Sequence, residues 1–552
     1  MSQDQIASLN KRYQMLKSER ASWWSQWYDL SSNILPYNGR YFLSDRNKGW
    51  IRNNKIIDNT ATVALRKLAA GMMSGLSSPD RPWFALAVDD EELNESKSVR
   101  TWLNESTETM EYYLSKSNAY RVLYSMYEDL GTFGTSAAFI ADDFNNVIHL
   151  FPLTIGEYCI ATDWKGDVTT IFREFDKTVG QLVTEFGIDK VSKSTKALFE
   201  AGSLDLWVTV RHAIEPRTDR DETKKDAINM PFSSVYWEVA NNGGQVLREA
   251  GYDSFPCLVP RWATQGGDIY GNSPAMTALG DVKQLQVMQL RKSQAIDFMS
   301  NPPVQLPTSL KNRETQLFPG GQTYIDMTGS QSIIQTAFNV KLDLQGVLED
   351  IQDCRGRINE AFYLDLFQTV TQIEESMTAY EVAQRISEKL ELLGPVTDRL
   401  ANEMYDPLIS QLFTKLLKGG LLPEPPQELA GKSLQAKYIS KIAQAQKSTS
   451  TAGTTRFVQE MLAMAQGFPG VLDNFDADEW ARIESEANGV DPEMVRDEKE
   501  VDAIRQSRAQ KEQAAQQSAM VNQNADSYSK LGNIPTTPGT VGGAVANKMG
   551  LH

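Results

Sequence analysis

Histidine and cysteine are nearly missing from this sequence, three of each in 552 residues, and that scarcity excludes much chemistry. His149, His212 and His552 lie far apart and form no His-Glu-x-x-His pair, so a zinc centre or a Ser-His-Asp arrangement lacks its parts. Cys159, Cys257 and Cys354 are odd in number and outside any Cys-x-x-Cys spacing; they read as small buried side chains, neither disulfides nor zinc ligands. No Gly-x-x-x-x-Gly-Lys-Ser/Thr loop occurs, so an ATP-hydrolysing motor has to be a different polypeptide. The stretch Gly131-Thr132-Phe133-Gly134-Thr135 is rich in glycine but lacks the lysine and a preceding apolar strand. The acid pairs Asp142-Asp143 and Glu374-Glu375 have no supporting His, Asn or second acidic cluster and read as solvated faces. No apolar run approaches the roughly 20 residues that cross a bilayer, and the opening residues are polar helix, not a basic-then-apolar secretory signal. These absences point to a protein made and kept in a cytoplasm, with no enzymatic activity, no cofactor, no metal and no membrane partner. Basic residues are also in deficit, 55 against 71 acidic for a net charge of −16, which argues against gripping nucleic acid through a broad basic surface.

What is present is a chain long enough for about three or four domains, and its 41% hydrophobic content excludes a disordered polymer. Ile6, Leu9, Tyr13, Leu16, Trp23, Trp27 and Leu30 recur at helical spacing in a long helix that ends near Pro36. Trp23, Trp24 and Trp27 supply a large anchor, for a core or subunit contact or else for base stacking. Residues 37–55 mix aromatic and basic side chains (Arg40, Tyr41, Phe42, Arg46, Trp50, Arg52) and read as an ordered loop ahead of a single-strand nucleic-acid site. Asp89 to Glu92 is expected to begin a solvated helix that continues through Trp102 and Met110 towards Leu130. Between Gly131 and Pro260 the pattern turns to short strands: 138–140, 147–151, 168–172, 206–212 and 234–239. Asn241-Asn242-Gly243-Gly244 reads as a hairpin turn between Trp237 and Val246.

A helix follows on Met276, Leu279, Val282, Leu285, Met288 and Ala295, broken by Asn301-Pro302-Pro303; a turn-rich module runs to about Val340, too short for a core of its own. Leu344, Val347, Ile351, Ile358 and Phe362 mark a second helix. After the polar stretch Thr369–Ser376, apolar residues recur at three- or four-residue steps from Val382 to Leu416, with Pro395 and Pro407 expected to kink or break the run and Gly419-Gly420 to stop it. Past Gly489 the sequence becomes a polar helix rich in Gln, Ala and Ser, then a disordered Gly- and Pro-containing tail.

The most informative stretch is Asp58–Leu86, DNTATVALRKLAAGMMSGLSSPDRPWFAL. Asn59 or Thr60 is positioned to cap a helix whose apolar face carries Val63, Leu68 and Met72, with Arg66 and Lys67 on the other side. Gly71 and Gly75 permit close approach or a helix end, and a Ser-Pro turn precedes Trp83-Phe84. Its Gly71-Met72-Met73-Ser74-Gly75-Leu76 core and Ser78–Phe84 exit resemble the head-to-tail connector (portal) family of short-tailed, double-stranded DNA phages. So do, in the same order, Tyr270–Gln286, the Met377–Val382 element, Leu393-Gly394-Pro395 and Gly420–Pro426.

The resemblance implies an α+β, predominantly helical portal fold with wing, stem, clip and crown regions in a ring-forming subunit. On it, 1–271 is the wing, 272–300 the first stem helix, 301–341 the clip, 342–368 the second stem helix and 369–377 the tunnel loop. Residues 378–418 are long wing and crown helices, 419–490 the crown, and 491–552 the polar helix, open to forming a barrel, and the tail. It further implies twelve copies at one capsid vertex, in the virion's head-tail junction, passing double-stranded DNA without sequence specificity. The implied partners are the terminase large subunit, tail adaptor and tail tube proteins, and the major capsid and scaffolding proteins. An acidic chain suits such a conduit better than a clamp, since each phosphate ion pair adds a barrier to sliding. Thr369, Val370, Thr371, Gln372, Ile373, Glu374, Glu375 and Ser376 are then the channel-facing loop. Lys283, Arg291 and Lys292 are candidate channel-facing stem cations, with pairing to Glu349, Asp350 or Asp353 of a neighbouring subunit as the competing expectation. The rival from another class is a helical scaffold or adaptor of capsid assembly with no conduit.

Overall fold

A computed structural model of the chain describes residues 3–41, 55–90, 93–94, 96–224, 226–239, 244–301, 304–305, 335–336, 344–365, 393–429, 434–438, 457–465, 467–468, 470, 475–487, 496 and 498–532. Two compact units are present, one of Met1–Ala87, Asn104–Glu424 and Leu434–Leu472, the other of Val88–Leu103, Pro425–Ser433 and Asp473–His552.

The first unit is built on an antiparallel five-stranded sheet in sequential order, β4 (Tyr158–Thr162), β5 (Val168–Thr178), β6 (Trp207–Pro216), β7 (Phe232–Glu238) and β8 (Gln245–Tyr252). Strand alternation puts Phe172, Ala213, Val235 and Trp237 on one face, where the long N-terminal helix α1 (Gln3–Asn33) lays down Ile6, Leu9, Tyr13 and Leu16. The opposite face carries Val210, Tyr236 and Leu247, covered by Leu182 of α5 (Val179–Phe186) and by Val191, just ahead of α6 (Lys193–Glu200). Both faces are therefore occupied, and the sheet is a closed core. β7 and β8 pair Trp237 with Val246, the register expected of the hairpin, although residues 240–243 of its turn lie outside the described set.

A smaller sheet, β3 (Val147–Leu153), β2 (Ala137–Asp143) and β9 (Cys257–Leu258), packs against the helical layer of α2 (Thr60–Leu76) and α4 (Ala119–Phe133). The signature helix α2 buries Ala61, Ala64, Leu65, Leu68, Ala69, Met72, Gly75 and Leu76, a face made mostly of small residues. Val63, expected inside, is 40% exposed. The expected run from Asp89 to Leu130 is two helices: α3 (Lys97–Lys116) starts later, and Ser117-Asn118 separates it from α4. The break has a specific cause, because the Asn118 side-chain amide donates to Leu150 O (2.7 Å) and its oxygen accepts from Leu150 N (2.9 Å), extending β3 sideways.

Two long helices, α7 (Pro274–Ser300) and α8 (Leu344–Ala361), pack on each other, and α7 also packs on α1, α2 and α4. Further on, α9 (Gly394–Leu400), a π-turn (Ala401–Tyr405) and α10 (Asp406–Lys418) run on continuously. From Leu393 on the run is the expected set of joined helices: α9 starts with Pro395 in its first turn, where no hydrogen-bond donor is needed, while residues 378–392 lie outside the described residues. Pro407 follows the π-turn, in which Asp406 N–H reaches back five residues to Ala401 O and absorbs the register change. Val396, Leu400, Met404, Leu408, Leu412 and Leu416 are all buried. The helix stops at Gly419-Gly420 as anticipated.

In the second unit the expected polar helix is present as Glu498–Gly532, with Arg505 bidentate on Asp478 of the helix Ala477–Ala487. No helix among the described residues is long and apolar enough to cross a membrane.

Candidate functional site

The sequence motifs converge at the base of α7 and α8. Asp58, just ahead of α2, is buried and acts as a four-way node. Its carboxylate accepts from Thr60 N (2.9 Å) and Thr60 Oγ1 (2.5 Å), from Gln289 Nε2 of α7 (2.9 Å) and from Arg355 Nη2 of α8 (2.7 Å). Neither Asn59 nor Thr60 caps the helix with its own side chain; Asp58 does so from one position further back. Gln286 completes the joint, accepting from Ile57 N (2.6 Å) and Asp58 N (2.8 Å) while its amide donates to Asp58 O (2.8 Å). Burial alone would raise the Asp58 carboxyl, but the hydrogen bonds from Thr60, Arg355 and Gln289 hold it down, to about 2. It is therefore a permanently ionised clasp between α2 and both long helices.

A second joint is a crossing of two backbones. Gly134 ends α4 in the left-handed region (φ 71°), and a Cβ there would stand 2.1 Å from Gly271 O; one on Gly271 would stand 2.2 Å from Gly134 O. Around the crossing, Trp262 N donates to Gly134 O, Gly271 N to Thr135 Oγ1 (2.8 Å) and Ser273 Oγ to Thr132 O (2.7 Å). Ser273 also accepts from Met276 N, so one side chain caps α7 and ties it down. The glycine-rich GTFGT stretch is thus a close-packing device. Beside it, Arg261 donates to Glu403 in the π-turn (2.5 Å) and to Gly166 O (2.7 Å).

The remaining signature residues close a polar-aromatic knot. Ser77 Oγ and Tyr127 OH share a hydrogen bond (2.6 Å), Tyr127 OH and Tyr405 OH another (2.7 Å), and the Trp83 ring packs on Tyr405 at 5.2 Å. Ser77, through Tyr127, and Trp83 therefore bind the signature, which runs on into β1 (Phe84–Val88), to Tyr405 of the distant π-turn. Of the three tryptophans, Trp27 is fully buried and fits the core reading, whereas Trp23 and Trp24 are half-buried against Tyr270 and Tyr41.

Of the sequence-derived site residues, Lys283 forms an ion pair with Asp29 of α1 at 2.7 Å, not with an α8 acid. Asp353 pairs with Arg357, which also reaches Asp281 (3.0 Å). Arg291 and Lys292 lie on the outer half of α7 and form no ion pair among the described residues. Thr369–Ser376 and nearly all of 301–341 lie outside the described residues. His212 is buried between Arg173 and Ser234, and burial beside the Arg173 and Arg248 charges keeps its pKa well below the usual range. Asp142 pairs with Lys415. No group of three or more metal-ligating side chains occurs among the described residues, and the three cysteines are buried and free. Sequence reading missed Gln286, Gln289, Arg355, Arg261 and Glu403. The one available signal was two glutamines three apart on an otherwise apolar helix face.

The expected α7 stripe is rotated and shortened. Ala275, Ala278, Val282, Leu285, Gln286 and Gln289 are buried, and beyond Gln289 the helix exposes Leu290, Ile296, Phe298 and Met299. Joints built from motifs scattered over hundreds of residues are a whole-chain signature, and whole-chain comparison bears on them. The sequence profile of the bacteriophage head to tail connecting protein family matches residues 7–495. The chain belongs to that family. A protein described as "probable portal protein" from Bordetella phage BPP-1 is 50% identical over 530 residues, 96% of each chain. The portal protein of Salmonella phage epsilon15 is 42% identical over 552 residues, 100% of this chain and 99% of the other. That of Escherichia phage T7 is 27% identical over 198 residues, about a third of each. The connector family is structural, and the chain is not an enzyme.

Proposed function

We propose that the chain assembles into a ring of twelve copies at one vertex of the capsid, forming the channel for packaging and ejection of double-stranded DNA. The family match over residues 7–495 carries this reading. Assembly takes place in the host cytoplasm, and the ring then serves as docking site for the terminase large subunit and, after packaging, for the tail adaptor and tail tube. The major capsid and scaffolding proteins surround it. Residues 1–271 are the wing, 272–300 and 342–368 the stem helices, 301–341 the clip, 369–377 the tunnel loop, 378–490 the remaining wing and crown, and 491–552 the barrel or tail.

The exposed apolar side chains of outer α7 support a subunit contact there, since a solvated helix end has little reason to present Leu290, Ile296 and Met299 together. In a ring each stem cation recurs once per subunit, so Lys283, Arg291 or Lys292 would form a positive belt within an acidic tube. Subunit mass and the end-on electron-microscope view of the purified protein test the proposal. Closed rings of about twelve around a hole wider than a duplex of roughly 20 Å sustain it. A monodisperse monomer at all concentrations, even with scaffolding protein added, sinks it in favour of a scaffold or adaptor without a conduit.

A further inference from the structure

Asp129 is a buried carboxyl without a counter-charge. It stands near the end of α4 at 6% exposure and forms no ion pair among the described residues. Its hydrogen bonds go to neutral groups of two other segments. The Asn38 side-chain amide, in the turn that follows α1, donates to Oδ1, and Ser136 Oγ at the entry to β2 lies 3.4 Å from Oδ2. The Asn38 turn is otherwise held only by short-range bonds and its exit: Asn38 O accepts from Ser31 Oγ (2.7 Å), Asn38 Oδ1 accepts from Gly39 N (2.9 Å), and Arg40 N donates to Ile155 O (2.8 Å). One carboxyl therefore joins the end of α1 to the corner between α4 and β2.

The surroundings supply no cation to balance an ionised Asp129. Glu128, beside it on α4, is a second acid, and Tyr158 of β4 is a buried phenol kept neutral by its own burial. The charged groups on the elements packed against α4 are engaged elsewhere. Arg20 of α1 donates to the Gly156 and Tyr158 carbonyls, Arg66 of α2 acts on Glu128 and Tyr124, and Lys283 and Asp281 of α7 are paired with Asp29 and Arg357. Asp142 of β2 pairs with Lys415, and His149 of β3 meets Asn118 at the far end of α4. Burial, reinforced by Glu128, outweighs the Ser136 and Asn38 hydrogen bonds and raises the Asp129 carboxyl to about 8. Protonation suits the site: the added O–H has Ser136 Oγ as an acceptor, while the other oxygen goes on accepting from Asn38. An ionised carboxylate in the same place is desolvated and unpaired.

We infer that Asp129 is a proton-operated latch, which holds the Asn38 turn and the end of α1 against the α4–β2 corner when protonated and lets them open when ionised. Opening exposes the carboxyl to water, where it titrates near its ordinary value of roughly 3.9. The closed form binds more protons than the open one, so its advantage is complete below about pH 4, shrinks as pH rises, and is lost once pH passes about 8. Near neutral pH the latch is closed but already weakened, and alkaline conditions release it.

The test is native-state hydrogen exchange of the full-length chain between about pH 5.5 and pH 8.5, corrected for intrinsic amide rates and read in peptides covering residues 30–41. In wild type these amides should open at least about ten-fold more often at the upper pH than at the lower, the change that a single pH unit of carboxyl shift produces. Asp129→Asn cannot ionise, and it presents an oxygen to Asn38 and an amide to Ser136 as the protonated acid does; it should remove the pH dependence while keeping the turn closed. Glu111→Gln, at another carboxyl that burial raises, to about 7, should leave the wild-type profile of residues 30–41 in place. Opening that does not change with pH in wild type overturns the inference, as does a wild-type profile in Asp129→Asn or loss of the pH dependence in Glu111→Gln. Should Asp129→Asn not fold, the wild-type profile decides: a rise confined to the segments around Asn38 and Asp129 sustains the latch, and an equal rise in the strands of the five-stranded sheet assigns the effect to overall stability and overturns it.

Discussion

The five-stranded sheet with α1, and the outer half of α7, are both rich in large apolar side chains, but among the described residues only the first encloses them. Trp237, Phe172 and Tyr13 are enclosed between strand and helix. Leu290, Ile296 and Met299 are each close to half exposed. Among the described residues one region is complete, and the other has the composition of a core with much of its surface open. A protein whose task is assembly would divide its apolar surface in this way, keeping a self-sufficient body and leaving one element unsatisfied until its neighbours arrive.

The comparison breaks or holds most clearly with a pair of substitutions. Trp237→Ala should cost about 3–5 kcal/mol, by emptying a site the sheet cannot collapse to fill, and denaturant unfolding of the isolated chain measures it. Leu290→Ser should change the same unfolding by less than about 0.5 kcal/mol, as exposed positions do, yet abolish higher oligomers in sedimentation. Equal destabilisation by both would show that α7 is already part of the single-chain core. Next in size is the joint between the regions. Gly134→Ala places a Cβ against the Gly271 carbonyl in a left-handed conformation, for about 2–4 kcal/mol, while Gly166→Ala, also left-handed but with open space around it, should cost only about 1–2 kcal/mol.

Asp58 sharpens the comparison because it clasps α2 to both long helices at Gln289, just where α7 turns from buried to exposed. Asp58→Asn should destabilise by about 1–3 kcal/mol, since Arg355 loses its carboxylate in a largely buried place. The pH dependence has a definite sign. The folded carboxyl titrates at about 2, below the unfolded value of roughly 3.9, so its contribution is complete above about pH 4 and is lost as pH falls towards 2. Wild type and Asp58→Asn should therefore differ at pH 7 and converge near pH 2. A constant difference across that range would mean that Asp58 acts through shape and not through charge.

How much of this was readable in the residues follows from the range of each interaction. The hairpin register at Trp237–Val246, the two long helices and most strands between Gly131 and Pro260, the edge strand Tyr158–Thr162 excepted, were legible because alternation and helical periodicity are local. The Ser117-Asn118 break was not, since its cause is Leu150, more than thirty residues away. Val63 was misassigned because α2 buries alanines, which a search for large apolar residues passes over. That Pro395 and Pro407 divide the run into joined helices is legible as well, but the π-turn that absorbs the register change ahead of Pro407 leaves no composition signal. The clasp itself was visible only as a motif: Asp58 begins the recognisable stretch, but its partners Gln289 and Arg355 stand far along the chain.

The smallest expected effect is also the most discriminating. Lys283 is about half exposed, and its pair with Asp29 is a surface one, so Lys283→Gln should alter unfolding by no more than about 1 kcal/mol. Because that pair lies within one chain, loss of the lysine should leave assembly intact, unlike loss of an intersubunit bridge. Any change in DNA retention by rings carrying Lys283→Gln would then report on the charge itself, repeated around the channel. Asp29→Asn serves as the control: it frees Lys283 without removing it, and should move retention in the opposite direction if the ammonium faces DNA. If both substitutions leave rings and retention unchanged, Lys283 is an ordinary surface tie between α7 and α1, and cations facing the proposed channel have to be sought further out, at Arg291 and Lys292.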